Sequence, residues 1–270
     1  MKAAMHAQVV FVSVMFVTSV LFIALERRFP STSGQKFFRQ GFWMDLLLYS
    51  FLQNWILGNV IQWIINGLDA AASGRLHLVG GWPLPLQAVF FLLLHDFYIY
   101  WFHRLQHRLP LLWRIHEAHH STPDVDWLSG SRSHALEILI NQTIEFAPIV
   151  LLGAPPEIGY FKALIDLVWG MYIHSNIGVR SGWLQKILNG PEMHRWHHAT
   201  EVVDVNFSTK FAFWDWIFGT AYLPNAKPKG FGLVDTPGYP LGNYLAQHGY
   251  ALRFRARSLT AGHPEKVPTP

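Results

Sequence analysis

A chain of 270 residues that is half hydrophobic and only 14% charged lies outside the usual soluble composition, where about a quarter of residues are charged. Its net charge of +4 would admit a nucleic-acid partner, but the lysines and arginines stand at the ends of apolar runs and no basic helix or basic–aromatic module occurs, so none is expected. Cysteine is absent, which excludes disulfides, thiolate metal sites, iron–sulfur clusters and cysteine nucleophiles; any metal must be held by nitrogen and oxygen, a donor set that suits iron, zinc or manganese.

A membrane-spanning helix needs about 20 mostly apolar residues. The first candidate covers 7–25 and ends at Glu26-Arg27-Arg28. It lacks a preceding basic cluster and a small-x-small cleavage site, so it is expected to be a retained helix, not a signal peptide. The second, 43–66, carries Gln53, Asn54 and Asn59, which are expected to face protein and not lipid. The third, 85–102, leads directly into histidine-rich sequence. Two more, 138–153 and 158–173, are joined by Ala154-Pro155-Pro156-Glu157 and read as a tight helical hairpin whose arms are slightly short for a full crossing.

Arg27, Arg28, Lys36 and Arg39 follow the first helix, Arg104, Arg108 and Arg114 follow the third, and Arg253, Arg255 and Arg257 lie in the tail, whereas the second loop holds only Arg75. By the positive-inside rule the 26–42 loop, the histidine-rich segments and the C-terminus are cytoplasmic. The expected fold is all-α: a multi-spanning helical membrane protein with a cytoplasmic histidine-rich helical cap. Residues 1–84 form N-terminal membrane helices, 85–223 the histidine-bearing domain, and 224–270 a Pro/Gly-rich cytoplasmic extension. The Pro-Thr-Pro terminus carries no retrieval signal, which favours a bacterial inner membrane over the endoplasmic reticulum.

Ten of the fifteen histidines fall in close-spaced groups: His103-x3-His107, His116-x2-His119-His120, His134, His174 and His194-x2-His197-His198. Helix residues three and four apart share a face, so each box can offer two or three imidazoles to one metal, and the full set exceeds what a single ion can use. A two-metal site is therefore expected. Asp96, two turns before His103, is placed to accept a hydrogen bond from a ligand ring, while His95 points elsewhere on the helix and reads as structural. His6, His77, His248 and His263 are isolated and expected to face solvent. His116-Glu117-Ala118-His119-His120 also matches H-E-x-x-H, the zinc metalloprotease signature with Glu117 as general base, but that reading leaves the other boxes unexplained. A non-enzymatic metal-binding membrane protein is the remaining rival; Glu145 and Asp166 are the only carboxylates deep in the expected spans, which gives a metal path across the bilayer little support.

Several ordered motifs sharpen this reading. They are Asp96-x3-Tyr100-Trp101-x-His103-Arg104-x2-His107, Leu112-Trp113-Arg114-x-His116-x2-His119-His120-Ser121, Arg132-x-His134-x2-Glu137, His174-Ser175-Asn176, Pro191-x2-His194-Arg195-x-His197-His198, Asn206-Phe207, and Trp214-Asp215-x2-Phe218-Gly219-Thr220. In this order the chain resembles the fatty acid hydroxylase/sterol desaturase superfamily of integral-membrane di-iron oxygenases. The resemblance implies that His103, His107, His116, His119, His120, His194, His197 and His198 are core ligands and that His174 and His134 complete the shell. His134 reads equally as a histidine hydrogen-bonded to Glu137. Asp96, Glu137 and Asn176 are the expected supporting residues of catalysis. The resemblance further implies two non-haem iron ions, which zinc could replace in purified material. O2 would be the co-substrate, and an unactivated C–H bond of a lipid would be hydroxylated or desaturated. No flavin, nicotinamide or haem-attachment motif is present, so electrons would come from a ferredoxin, a cytochrome b5-like protein or a pterin. Two positions depart from the family pattern: Ala135, where proline is frequent, and Ser208, where glycine is frequent.

Overall fold

A computed structural model describes residues 2–72, 77–234, 236 and 238–253, the side chains of residues 2–8 excepted. Arg75, Arg255, Arg257, His263 and the Pro-Thr-Pro terminus, like the His6 ring, lie outside the described part. The described residues form helices and two isolated bridges, Pro30 with Ile177 and Ala199 with Phe231. The all-α expectation is met.

In chain order the helices are α1 (Lys2–Arg28), a π-helical segment Met44–Gln53 running into α2 (Asn54–Ala72), α3 (Leu84–Arg108), α4 (Pro110–His120), α5 (Ala135–Leu151), α6 (Pro156–His174), and the short α7 (Pro191–His197), α8 (Phe213–Ile217) and α9 (Tyr244–Ala251). All five apolar stretches are helical. Two of them, Val9–Arg28 and Leu84–Arg108, are long and apolar enough to cross a bilayer. The others are shortened or interrupted by polar side chains: α5 has 17 residues, and α6 carries Lys162 and Asp166.

The chain reverses where its prolines and glycines require it. Pro110 opens α4 at the position where a missing N–H costs nothing, so the histidines of α3 and α4 meet at one end of the bundle. Gly153, at φ +79°, turns the α5–α6 hairpin, and Gly80 passes so close that a Cβ there would stand 2.8 Å from the Gly153 carbonyl. Val79, Phe91, Ile149, Ala154 and Ile158 seal this end, far from the histidines. Near the histidine end, Phe22, Phe42, Trp127, Leu128 and Ile177 pack α1 against the 127–128 turn and the segment after α6.

Two expectations need correction. Gln53 is buried, but Asn54 and Asn59 are exposed and return their amide donors to Ser50 and Trp55 carbonyls one turn back, so they do not face protein. His248 does not face open solvent; α9 folds back and stacks its ring on His134 at 4.5 Å.

Candidate metal centre

Helical spacing brings nine imidazoles together. His103 and His107 are one turn apart at the end of α3, as are His116 and His120 on α4 and His194 and His198 across α7, while His174 ends α6. The rings divide into two groups: His103, His107, His116, His120 and His197, and His119, His174, His194 and His198. Within each group the donor nitrogens all lie within 4.8 Å of one another. Nε2 of His103 is 3.0 Å from Nε2 of His116, which is 3.2 Å from Nε2 of His120. In the second group Nε2 of His174 is 3.2 Å from that of His119 and 3.0 Å from that of His194. Two ligands at about 2.0–2.1 Å from one metal stand about 3.0 Å apart at a right angle and about 3.4 Å apart in a tetrahedron, so these spacings are those of imidazoles sharing an ion.

The far side of each ring fixes its tautomer. Nδ1 of His103 donates to the Phe207 carbonyl at 2.8 Å, that of His197 to Val205 at 2.8 Å, that of His119 to Arg132 at 3.1 Å and that of His174 to Gly170 at 2.8 Å. His116 Nδ1 donates to Glu137 Oε1 at 2.7 Å, and Gln106 donates to the same oxygen. With the proton on Nδ1, each Nε2 presents a lone pair. His103 then faces His116, and His119 faces His174, lone pair to lone pair at 3.0–3.2 Å, a repulsive contact that a cation between them turns attractive. Nε2 of His107 and of His197 is buried without a hydrogen-bond partner, which fits the same role. The residues present therefore fit two metal ions held by nitrogen alone.

Burial also keeps these rings neutral. Desolvation first, and neighbouring histidines second, hold His119, His120, His194 and His198 well below the ordinary histidine value of 6.5, and desolvation holds His197 at about 3 despite its bond to Val205. As pH falls through about 6.5 the unfolded chain takes up protons that the native rings refuse, so stability rises with pH and falls with acidification. We expect the metal-free protein to lose roughly 1 kcal/mol per pH unit for each such ring between pH 6.5 and 5, read as a falling melting temperature. A flat pH profile would contradict neutral, buried rings.

The supporting residues are rearranged relative to expectation. Asp96 touches no ligand ring; it accepts from Thr209 Oγ1 and the Lys210 and Phe211 backbone N–H groups, holding the loop whose Phe207 carbonyl orients His103. The carboxylate hydrogen-bonded to a ring of these groups is Glu137, and Asp204 Oδ1 stands 3.9 Å from His107 Nδ1. Asn176 clasps residue 32, accepting from its N–H and donating to its carbonyl, and so fastens the segment after His174 to the end of α1. His134 belongs to neither group: it caps α5 by accepting from Leu136 N–H and donates to the His248 carbonyl. Ala135, where the family often has proline, supplies an N–H that donates to His248 Nε2. Glu117 is in neither group, although His116 and His120 are both in the first.

Other residues went unassigned in the sequence. Asn206, at φ +55°, donates to the Met193 and Tyr222 carbonyls and accepts from Tyr222 N–H, locking the turn that presents Val205 and Phe207 to the rings. Asp215 accepts from the N–H groups of Phe207 and Ser208. Asn206→Ala should cost about 2–4 kcal/mol, from lost buried hydrogen bonds and a left-handed backbone, with Asn206→Gly recovering about 1 kcal/mol. Thermal melts of the two variants test this, and equal melting temperatures for both and wild type would refute it. A third cluster, His95, Glu145 and Asp166, is filled by the Lys162 ammonium, which donates to His95 Nδ1 at 2.8 Å, to Asp166 at 2.7 Å and to Glu145.

Among the described residues the fold is all-α, and nine histidines form two clusters that could each hold a metal ion. The family model for fatty acid hydroxylase matches residues 88–220. The ornithine lipid hydroxylase of Rhizobium tropici is 32% identical over 145 residues, 53% of this chain and 44% of that protein. Human alkylglycerol monooxygenase is 34% identical over 134 residues, 49% of this chain and 30% of that one. Methylsterol monooxygenase 2-2 of Arabidopsis thaliana is 27% identical over 234 residues, 77% of this chain and 81% of that protein. The chain thus spans less than half the length of the first two relatives. No solved structure matches it. The chain belongs to the fatty acid hydroxylase/sterol desaturase superfamily, and its clustered histidines resemble the histidine-box motifs of di-iron sites.

Proposed function

We propose that this protein is a membrane-bound oxidoreductase that hydroxylates or desaturates an unactivated C–H position of a lipid, using two irons, O2 and electrons from a separate donor. The observation that carries the reading is the division of nine buried rings into groups of five and four with opposed Nε2 lone pairs. The relatives are named as lipid hydroxylases and monooxygenases, which supports a lipid substrate. Bound iron supplies the reduction of O2 and the removal of hydrogen from carbon.

This chain's residues hold, orient and enclose. Backbone carbonyls and Glu137 keep the protons on Nδ1 and the donor pairs inward. Phe207, fully buried, lies against His103, His107 and His197, and Trp113 against His107 and His120, so apolar rings exclude water from the first group. With α1 and α3 as crossings and α2, α5 and α6 packed beside them, a lipid would pass laterally from the bilayer toward a centre at its cytoplasmic rim. The arginine distribution favours that orientation.

The test is O2 uptake by purified protein supplied with iron, a reductant and extracted lipids, together with lipid profiles of cells with and without the chain. Uptake that requires all three additions, with one lipid class gaining oxygen or a double bond, is expected. Lipid-independent uptake and unchanged profiles would contradict the proposal.

A further inference from the structure

Behind the four-histidine group lies a buried set of four ions that the ligand chemistry does not use. Arg39 donates from Nε and Nη2 to both oxygens of Asp126, each at 2.8 Å, and from Nη1 to Asp45 at 2.8 Å. Arg132 donates from Nε and Nη2 to both oxygens of Asp45 at 2.7 and 3.0 Å, and from Nη1 to Ser121 Oγ. All four side chains are at most 7% exposed, the charges cancel, and both outer pairs have the two-pronged geometry in which arginine is most directional.

Each end of this set bears on one ligand. The Arg132 carbonyl accepts from His119 Nδ1. Asp126 accepts from Leu128 and Ser129 N–H, building the turn Ser129–Ser131, whose Gly130 lies so close to His174 that a Cβ there would stand 2.5 Å from its Nδ1. The five-histidine group takes its orienting acceptors elsewhere, from Val205, Phe207 and Glu137.

We infer that Asp45 and Arg39 are positioning residues of the metal centre that act selectively on the four-histidine site, Asp45 through Arg132 and Arg39 through Asp126. Both lie outside residues 88–220. The segment before α2 thus completes one of two sites whose ligands all come from the matched region. Within the π-helix, Asp45 near its start points to Arg132, while Tyr49 and Gln53 on the same side hold α9 and Ser133. Gly41, at φ +81°, lets the backbone pass the guanidinium, since a Cβ there would stand 2.2 Å from Arg132 Nη2.

The inference rests on the two-metal reading, and the experiment separates the two. Full-length metal-free protein is titrated anaerobically with Co2+, wild type beside Asp45→Asn. Two equivalents should bind to wild type. In Asp45→Asn one equivalent should bind as before and the other about 10–100-fold more weakly. Gly41→Ala keeps all four charges, displaces Arg132 and should act in the same direction, so it is read in place of Asp45→Asn if that variant does not fold. Equal weakening of both equivalents, or of neither, overturns the inference while leaving the two-metal reading intact. A wild type that binds fewer than two equivalents overturns both.

Discussion

Replacing His119 with alanine is expected to abolish the proposed lipid-dependent O2 uptake, a loss on the order of 10³-fold or more, because one ion would lose a ligand worth several kcal/mol of charge stabilisation. His119 is the ring through which α4 reaches the second group, its Nε2 facing His174 at 3.2 Å, and without it only His174, His194 and His198 remain there. Metal content should fall from two ions per chain toward one, since the five-ring group keeps all its members. His134→Ala is the matching control. Its ring lies outside both groups and caps α5, so it should cost about 1 kcal/mol of stability and leave metal content unchanged. Metal analysis and oxygen-electrode assays on the two variants decide the matter; metal loss in His134→Ala with retention in His119→Ala would reverse the ligand assignment.

Glu137→Gln should lower the affinity of the first group for metal by about 10–100-fold and the proposed activity in step, whereas Glu117→Gln should leave both near wild type. Glu137 Oε1 accepts from His116 Nδ1 at 2.7 Å and from Gln106, so the neutral amide removes the negative charge that strengthens His116 as a ligand. Glu117 is one residue from His116 in sequence, yet it belongs to neither histidine group. A zinc protease would respond in the opposite order, dying with Glu117→Gln and tolerating Glu137→Gln. Metal titration of both variants, with O2 uptake as the second readout, distinguishes the two chemistries.

The boxes were legible in the sequence because helix geometry is local: rings three and four apart on one helix must share a face, whatever the remainder of the chain does. The reversal at Ala154-Pro155-Pro156-Glu157, just where α6 begins, was equally local. What failed was partner choice across long separations. Asp96 sits on α3 as anticipated, but its partners are Thr209, Lys210 and Phe211, which a pairing rule confined to one helix does not reach. Arg39 was read only as a topology-setting charge, although it meets Asp126, 87 residues away. His134 has a ligand's chemistry, yet as the residue before α5 its ring is drawn to the free Leu136 N–H. Lys162 drew no attention as a single cation in an apolar helix, and only the packing of α3, α5 and α6 shows why it is tolerated there.

The most direct test of two adjacent all-histidine sites is anaerobic reconstitution with Fe2+, followed by iron analysis and X-ray absorption at the iron edge. Two irons per chain are predicted, each in a shell of nitrogen and oxygen neighbours at about 2.0–2.2 Å, with a single iron remaining in His119→Ala. One iron or none in the wild-type chain, or two irons still bound after removal of His116, His119 and His120 together, would contradict the account.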